Sequence, residues 1–155
     1  MSGAGLLWCL CYDTMTKILF LCTGNSCRSQ MAEGFARELK SDWFAAYSAG
    51  IEPHSLNPSA VKVMAEARVD ISGQQSTHVD EFNDIAFDWV VTVCDHAAEQ
   101  CPIFPRQAQV VHRAFDDPPR LEAKSREEAL GHYRRVRDEI RAYVETLPAG
   151  LERGA

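Results

Sequence analysis

Apolar positions along the chain change their period several times, and each change marks an element. Ile18-Leu19-Phe20-Leu21 is a continuous apolar run behind Lys17, the pattern of a strand buried on both faces of a parallel sheet. From Ser29 onward Met31, Ala32, Phe35 and Leu39 recur at helical spacing, so a helix opens a few residues after that strand. Phe44 to Gly50 reads as the second strand. Asn57-Pro58 supplies a cap and a first-turn proline for a helix carrying Val61, Met64, Ala65 and Val69. Phe87 to Val93 predicts the third strand and Gln109 to Phe115 the fourth. Ser125-Arg126-Glu127-Glu128 has the form of a capping box, and the helix it opens carries Leu130, Tyr133, Val136, Ile140, Val144 and Leu147. Strands alternating with helices predict an α/β fold, a single domain with a four-stranded parallel sheet and helices on both faces.

Length and composition agree: 155 residues, 46% of them hydrophobic and 25% charged, are enough to bury one core without a structural metal or disulfide. No composition shift marks a second domain, and no repeat or low-complexity segment interrupts the pattern. The net charge of −6 argues against a nucleic-acid partner and would repel a dianion at long range, so any anion must be held by a local field. Arg134, Arg135, Arg137 and Arg141 alternate with Asp138 and Glu139 on the last helix and read as a solvated face. Six cysteines without a secretory signal point to working thiols in a reducing compartment, the cytoplasm. Gly5 to Tyr12 is apolar, but no basic residue precedes it and it is too short to span a membrane.

Chemistry concentrates in Cys22-Thr23-Gly24-Asn25-Ser26-Cys27-Arg28-Ser29, between the first strand and the first helix. Backbone N–H groups at a helix N-terminus attract anions, and Gly24 and Asn25 tolerate the backbone angles that a cradle needs. Arg28 adds a fork for two oxyanion oxygens. The same field predicts a lowered pKa for Cys22 and hence a nucleophilic thiolate, with the Ser29 hydroxyl placed to donate to the sulfur. Cys27 is expected to pack with its side chain away from the anion. Two more cysteines, Cys94 and Cys101, stand seven positions apart behind the third strand. Read alone they are inert thiols, a redox pair, or with His96 a weak metal site that lacks a fourth ligand. Phe115-Asp116-Asp117-Pro118 offers a carboxyl on a loop as a general acid. His54, His78, His112 and His132 show no ligand spacing, and ordinary surface or core roles are expected of them.

The Cys22 to Ser29 segment resembles the phosphate-binding loop shared by low-molecular-weight protein tyrosine phosphatases and thioredoxin-coupled arsenate reductases, which use one fold. The resemblance implies that Cys22 is the nucleophile, that Thr23 to Ser29 and Arg28 bind the oxyanion, and that Asp117, the aspartate before proline, is the acid. The Cys94 to Cys101 segment is similar to the redox segment of the reductases. It implies that Cys94 attacks Cys22 and that Cys101 resolves the disulfide. Two helical residues seven apart stand about 10 Å apart along the axis and a disulfide needs Cα atoms within about 7 Å, so this segment must rearrange. Pro119-Arg120-Leu121 follows Asp117-Pro118 where phosphotyrosine phosphatases carry aromatic residues, which favours a small inorganic oxyanion.

The function implied is reduction of arsenate to arsenite through an intramolecular disulfide relay recycled by thioredoxin, with no cofactor. Hydrolysis of phosphate monoesters is the alternative, and a non-enzymatic thiol or metalloid sensor is a third. Some reductases of this kind hold potassium near the loop, and Asn25, Glu33 and Ser48 match three of its ligands. The expected aspartate has no counterpart around Ser76-Thr77-His78. The same resemblance sets the domain at residues 15–148, with 1–14 as an extension in which Cys9 and Cys11 are incidental and 149–155 as a tail.

Overall fold

The computed structural model describes residues 15–99 and 108–152. The apolar run behind Lys17 becomes β1 (Thr16–Cys22), and Ile18, Leu19, Phe20 and Leu21 expose no surface at all. Burying a side chain of this kind is worth about 1.5–3 kcal/mol, so this strand anchors the core. It pairs in parallel with β2 (Phe44–Gly50) on one side, from Thr16 opposite Phe44 to Cys22 opposite Gly50. On the other side it pairs with β3 (Trp89–Thr92), which in turn pairs with β4 (Gln109–His112). Among the described residues the sheet has four parallel strands in the order β2-β1-β3-β4. The order reverses between β1 and β3, and open α/β sheets bind ligands beyond the strand ends at such a point.

β3 and β4 are shorter than their apolar runs. Beyond Thr92 the chain turns toward α3 (Asp95–Glu99), and past His112 it leaves the sheet. Single bonds continue the pairing there: Val93 N–H donates to the Leu21 carbonyl at 2.9 Å and Phe115 N–H to the Val93 carbonyl at 3.1 Å. These bonds hold the ends of three strands level, where the candidate chemistry lies.

α1 (Arg28–Leu39) covers β1 and β2, and α4 (Arg126–Glu145) packs on α1 and on α2 (Pro58–Glu66). Tyr47 faces the opposite side of the sheet from Ser48. There it meets Phe82 and Phe87 edge to face, behind the 3-10 turn Val79–Phe82. α2 ends at Glu66, short of the expected Val69. Arg68 takes φ 65, Val69 N–H bonds Met64 O and Arg68 N–H bonds Ala65 O, a left-handed helix stop. At Ser125 half of the capping box forms. Its hydroxyl accepts from Glu128 N–H at 3.1 Å, while the Glu128 carboxylate takes the Lys124 N–H instead of that of Ser125.

Two expectations change. Arg134 reaches across to Glu66 of α2, and Arg137, only 14% exposed, donates to Val63 O at 2.8 Å, so this part of the arginine face clamps α4 to α2. Residues 149–152, placed in the tail by the sequence, form α5 (Ala149–Glu152) and bury Leu151. Residues 1–14, with Cys9 and Cys11, lie outside the described residues.

Candidate active site

Cys22 ends β1 at the switch point, and the chain then bends through Thr23 to Cys27 into α1. The bend is held tightly against β2. A Cβ on Gly50 would stand 2.8 Å from Thr23 O and 2.9 Å from the Asn25 Cβ, so only glycine lets the loop approach. Asn25, and not Gly24, takes the left-handed conformation, with φ 46. Its side chain makes the strain affordable: Oδ1 accepts from Thr77 N–H at 2.8 Å and Nδ2 donates to Ser29 and Ser48 at 2.8 and 2.9 Å. Gln30, fully buried, donates to Asn25 O, and the Ser76 hydroxyl donates to the same carbonyl at 2.6 Å. No side chain caps the first turn of α1, whose N-cap residue is Cys27. The turn therefore keeps N–H groups for an anion.

A cavity of about 490 Å³ opens over this loop, lined among others by Cys22, Gly24, Arg28, Cys94, Asp117 and Arg120. Arg28 donates to Phe115 O at 3.0 Å and stands 3.6 Å from the Asp117 carboxylate, so the loop arginine also positions the segment that carries the acid. Asp116 points to Arg135 of α4 at 3.0 Å, leaving Asp117 to face the cavity. Cys94 lies just beyond β3. Its sulfur is 3.3 Å from the Thr23 hydroxyl and 3.4 Å from Ala97 N. Cys101 lies outside the described residues. The arrangement unites a buried thiol, anion-binding amides, a guanidinium, a carboxyl and a second thiol around one space.

Residues 17–154 match the family described as low molecular weight phosphotyrosine protein phosphatase. The chain belongs to that family. Among its relatives, the arsenate reductase of Shouchella clausii is 51% identical over 129 residues, which cover 82% of this chain and 91% of the relative. That of Bacillus subtilis is 51% identical over 123 residues, 79% of this chain and 88% of the relative. A solved arsenate reductase in its oxidized state superposes with TM-score 0.72 at 33% identity, over 88% of this chain and 99% of the other. A low-molecular-weight protein tyrosine phosphatase from T. tengcongensis superposes with TM-score 0.71 at 25% identity, over the same shares. This phosphatase-family member thus has relatives of both chemistries.

Electrostatics in the family loop correct one expectation. Burial pushes the Cys22 thiol above its ordinary value and outweighs the Ser29 hydroxyl, the Ser29 amide, Arg28 and the Asn25 amide, all of which favour the thiolate. The Ser29 hydroxyl lies 2.9 Å from the sulfur and the Asn25 N–H 3.2 Å. Cys27 is buried and its thiol is likewise pushed up, chiefly by desolvation. Burial also pushes Glu33 up, to about 7, against the lowering pull of Arg37.

The residues matched to a potassium site do not fit a cation. Because Asn25 Oδ1 is taken by Thr77 N–H, the amide turns its N–H groups, not its oxygen, toward Ser48. Arg37 already stands 3.3 Å from Glu33. Among the described residues no group of three His, Cys, Asp or Glu side chains is placed to hold a metal ion.

Several contributors carry no local signal in the sequence. Ser76 and Thr77 brace Asn25 from about fifty positions along the chain, and Gln74 bonds Gln30, which itself donates to Asn25 O. His54, expected in an ordinary role, lies on the cavity rim with its backbone N–H on Gly24 O at 2.8 Å, and a Cβ on Gly24 would meet its ring at 2.9 Å. His96 also lines the rim. A polar residue such as Gln30 at the inward start of an apolar helix face is the one hint available.

Proposed function

We propose that the chain reduces arsenate to arsenite by a thiol relay, and the observation that carries this reading is the position of Cys94. A phosphate-ester hydrolase needs Cys22, Arg28 and Asp117 but has no use for a second buried thiol over its loop. Here the Cys94 sulfur is held by Thr23, the residue next to the nucleophile. The identity to arsenate reductases over about four-fifths of the chain supports the same reading.

In the proposed cycle Arg28 and the loop amides take arsenate, the Cys22 thiol passes its proton to an oxygen of the bound arsenate, and the sulfur attacks arsenic. Asp117 protonates the departing oxygen, which leaves as water, and a Cys22–arsenic(V) adduct forms. Cys94 then attacks the Cys22 sulfur. The sulfur–arsenic electron pair passes to arsenic, arsenite leaves, and Cys22 and Cys94 share a disulfide. Cys101 attacks Cys94, restores the Cys22 thiolate and closes a Cys94–Cys101 disulfide. A protein dithiol of the thioredoxin class takes up that disulfide's oxidising equivalents, in the cytoplasm, where thiols stay reduced. Among the described residues no helix is long and apolar enough to cross a membrane.

The test is arsenite formation with thioredoxin, thioredoxin reductase and NADPH, beside aryl phosphate hydrolysis. Cys94→Ser is expected to abolish multiple turnover with arsenate. Phosphate-ester hydrolysis untouched by Cys94→Ser, with no arsenite from the parent chain, would return the protein to the phosphatases.

A further inference from the structure

The turn that follows Asp117 places a second guanidinium at the mouth of the cavity over the loop. Pro118 and Pro119 fix two backbone angles of the 3-10 turn Pro118–Arg120, and the Arg120 N–H closes on Asp117 O at 3.0 Å. Arg120 is thereby anchored to the backbone of the acid. Its side chain lines the cavity, is 87% exposed and stands 3.5 Å from the Asp117 carboxylate through Nε. The other Asp117 oxygen faces Arg28 at 3.6 Å, so a single carboxylate separates the two guanidiniums. They differ in freedom. Arg28 is 12% exposed and tied to Phe115 O, whereas among the described residues the Arg120 side chain has this ion pair alone, of an exposed kind that is weak in water. Among the described residues lining the cavity these two are the only arginines or lysines, and they stand against the carboxylates of Glu52, Asp95 and Asp117.

We propose that Arg120 is a specificity-determining residue, which leaves Asp117 to bind the outermost oxygen of a small inorganic oxyanion. The inference takes from the relay reading only that the substrate is such an ion. An in-line attack by Cys22 sets the departing oxygen, the one that Asp117 protonates, opposite the sulfur. That oxygen lies beside Asp117 and so within reach of Arg120. In arsenate or phosphate it carries no carbon and accepts from a guanidinium in a charge-assisted bond. In an aryl ester it is the bridging oxygen, a poorer acceptor, and the ring beyond it takes the space that Arg120 needs. Arg120 therefore adds affinity for the free oxyanion and little for its esters. In a chain of net charge −6 it also offers an arriving dianion an exposed cation ahead of the more buried Arg28.

The experiment titrates the full chain bearing Cys22→Ser, in which no chemistry follows binding, with inorganic phosphate and with phenyl phosphate at one fixed ionic strength, read by calorimetry. Adding Arg120→Ala is expected to weaken phosphate about tenfold and phenyl phosphate by less than about threefold. Arg120→Lys keeps a charge without the fork, and its phosphate affinity is expected between the two. The ratio of the two affinities does not move with a loss spread over the whole site, so it separates recognition from a structural effect. Equal losses for the two ligands, or no loss for either, would overturn the role, and a larger loss for phenyl phosphate would make Arg120 a contact for the ring instead. Arsenite formation is followed in parallel on the chain that keeps Cys22. Arsenite made, with the ratio unmoved by Arg120→Ala, sinks this inference and leaves the relay standing. No arsenite, with the ratio shifted, sinks the relay and leaves Arg120 as the selector of the free oxyanion.

Discussion

The loop that carries Cys22 is braced from β2, from α1 and from the Ser76–Thr77 segment, whereas among the described residues the segment that carries Cys94 is held by two side-chain bonds and by the burial of Cys94 and Ala97. Around Cys22, Gly50 of β2 lies against the loop backbone, and Asn25 engages Ser29, Ser48 and Thr77 while Gln30 and Ser76 close on its carbonyl. Beyond β3, the five-residue α3 rests on the Thr23 hydroxyl at Cys94 and on His112 at Asp95. The contrast matches what each sulfur must do. An oxyanion cradle stabilises its transition state by not reorganising, so its cost is met at folding. A thiol that passes from one partner to another needs a shallow hold, and such segments come from the less stable end of a fold.

Asn25→Ala strikes the braced side and is expected to have the largest effect. It leaves Thr77 N–H without its acceptor and removes an amide that steadies φ 46. Arsenate turnover should fall about a hundredfold or more, with about 3 kcal/mol lost in urea unfolding. A small loss would mean that the loop does not need its brace.

Glu33→Gln tests the same side through pH. Burial raises this carboxyl from its ordinary 4.5 to about 7, so across that window the folded protein keeps a proton that the unfolded chain has released. Stability therefore falls as pH rises from about 4.5 to about 7 and is level above. The cost reached is about 3 kcal/mol, and the neutral glutamine avoids it. Glu33→Gln should unfold at a higher temperature than the parent at pH 8 and at about the same temperature near pH 4.5. An unchanged difference at both values would place the charge in a less costly setting.

Thr23→Val addresses the loosely held side and is expected to have the smallest effect. It removes the hydroxyl at the Cys94 sulfur, and stability should change by less than about 1 kcal/mol. Arsenite release in a single turnover should slow a few-fold, read by rapid quench. A loss as large as that of Asn25→Ala would erase the contrast between the two segments.

Much of this was legible along the chain because the deciding interactions are local. The β1 run, the Asn57-Pro58 helix start and the spacing of Cys22, Arg28 and the helix behind them depend on neighbours within a turn or two. The ends of β3 and β4 were overestimated because the apolar residues Val93 and Phe115 continue past the strands into the core without a ladder. The brace on Asn25 was invisible because Gln30, Ser76 and Thr77 are ordinary polar residues until folding brings the last two across about fifty positions.

By itself the sequence determined the order of the elements and the set of reacting groups, a thiol and a guanidinium at a helix start, a carboxyl before proline and two further thiols. Only the tertiary structure decided that β1 and β3 are neighbours, so that Cys22 and Cys94 share one cavity, and that burial reverses the expected sign of the Cys22 shift. Helix starts and strand runs are set by bonds between near neighbours in the chain. Solvent exclusion and cross-strand contact belong to residues that meet only when the chain is folded, and they set the direction of the thiol's shift and its partner.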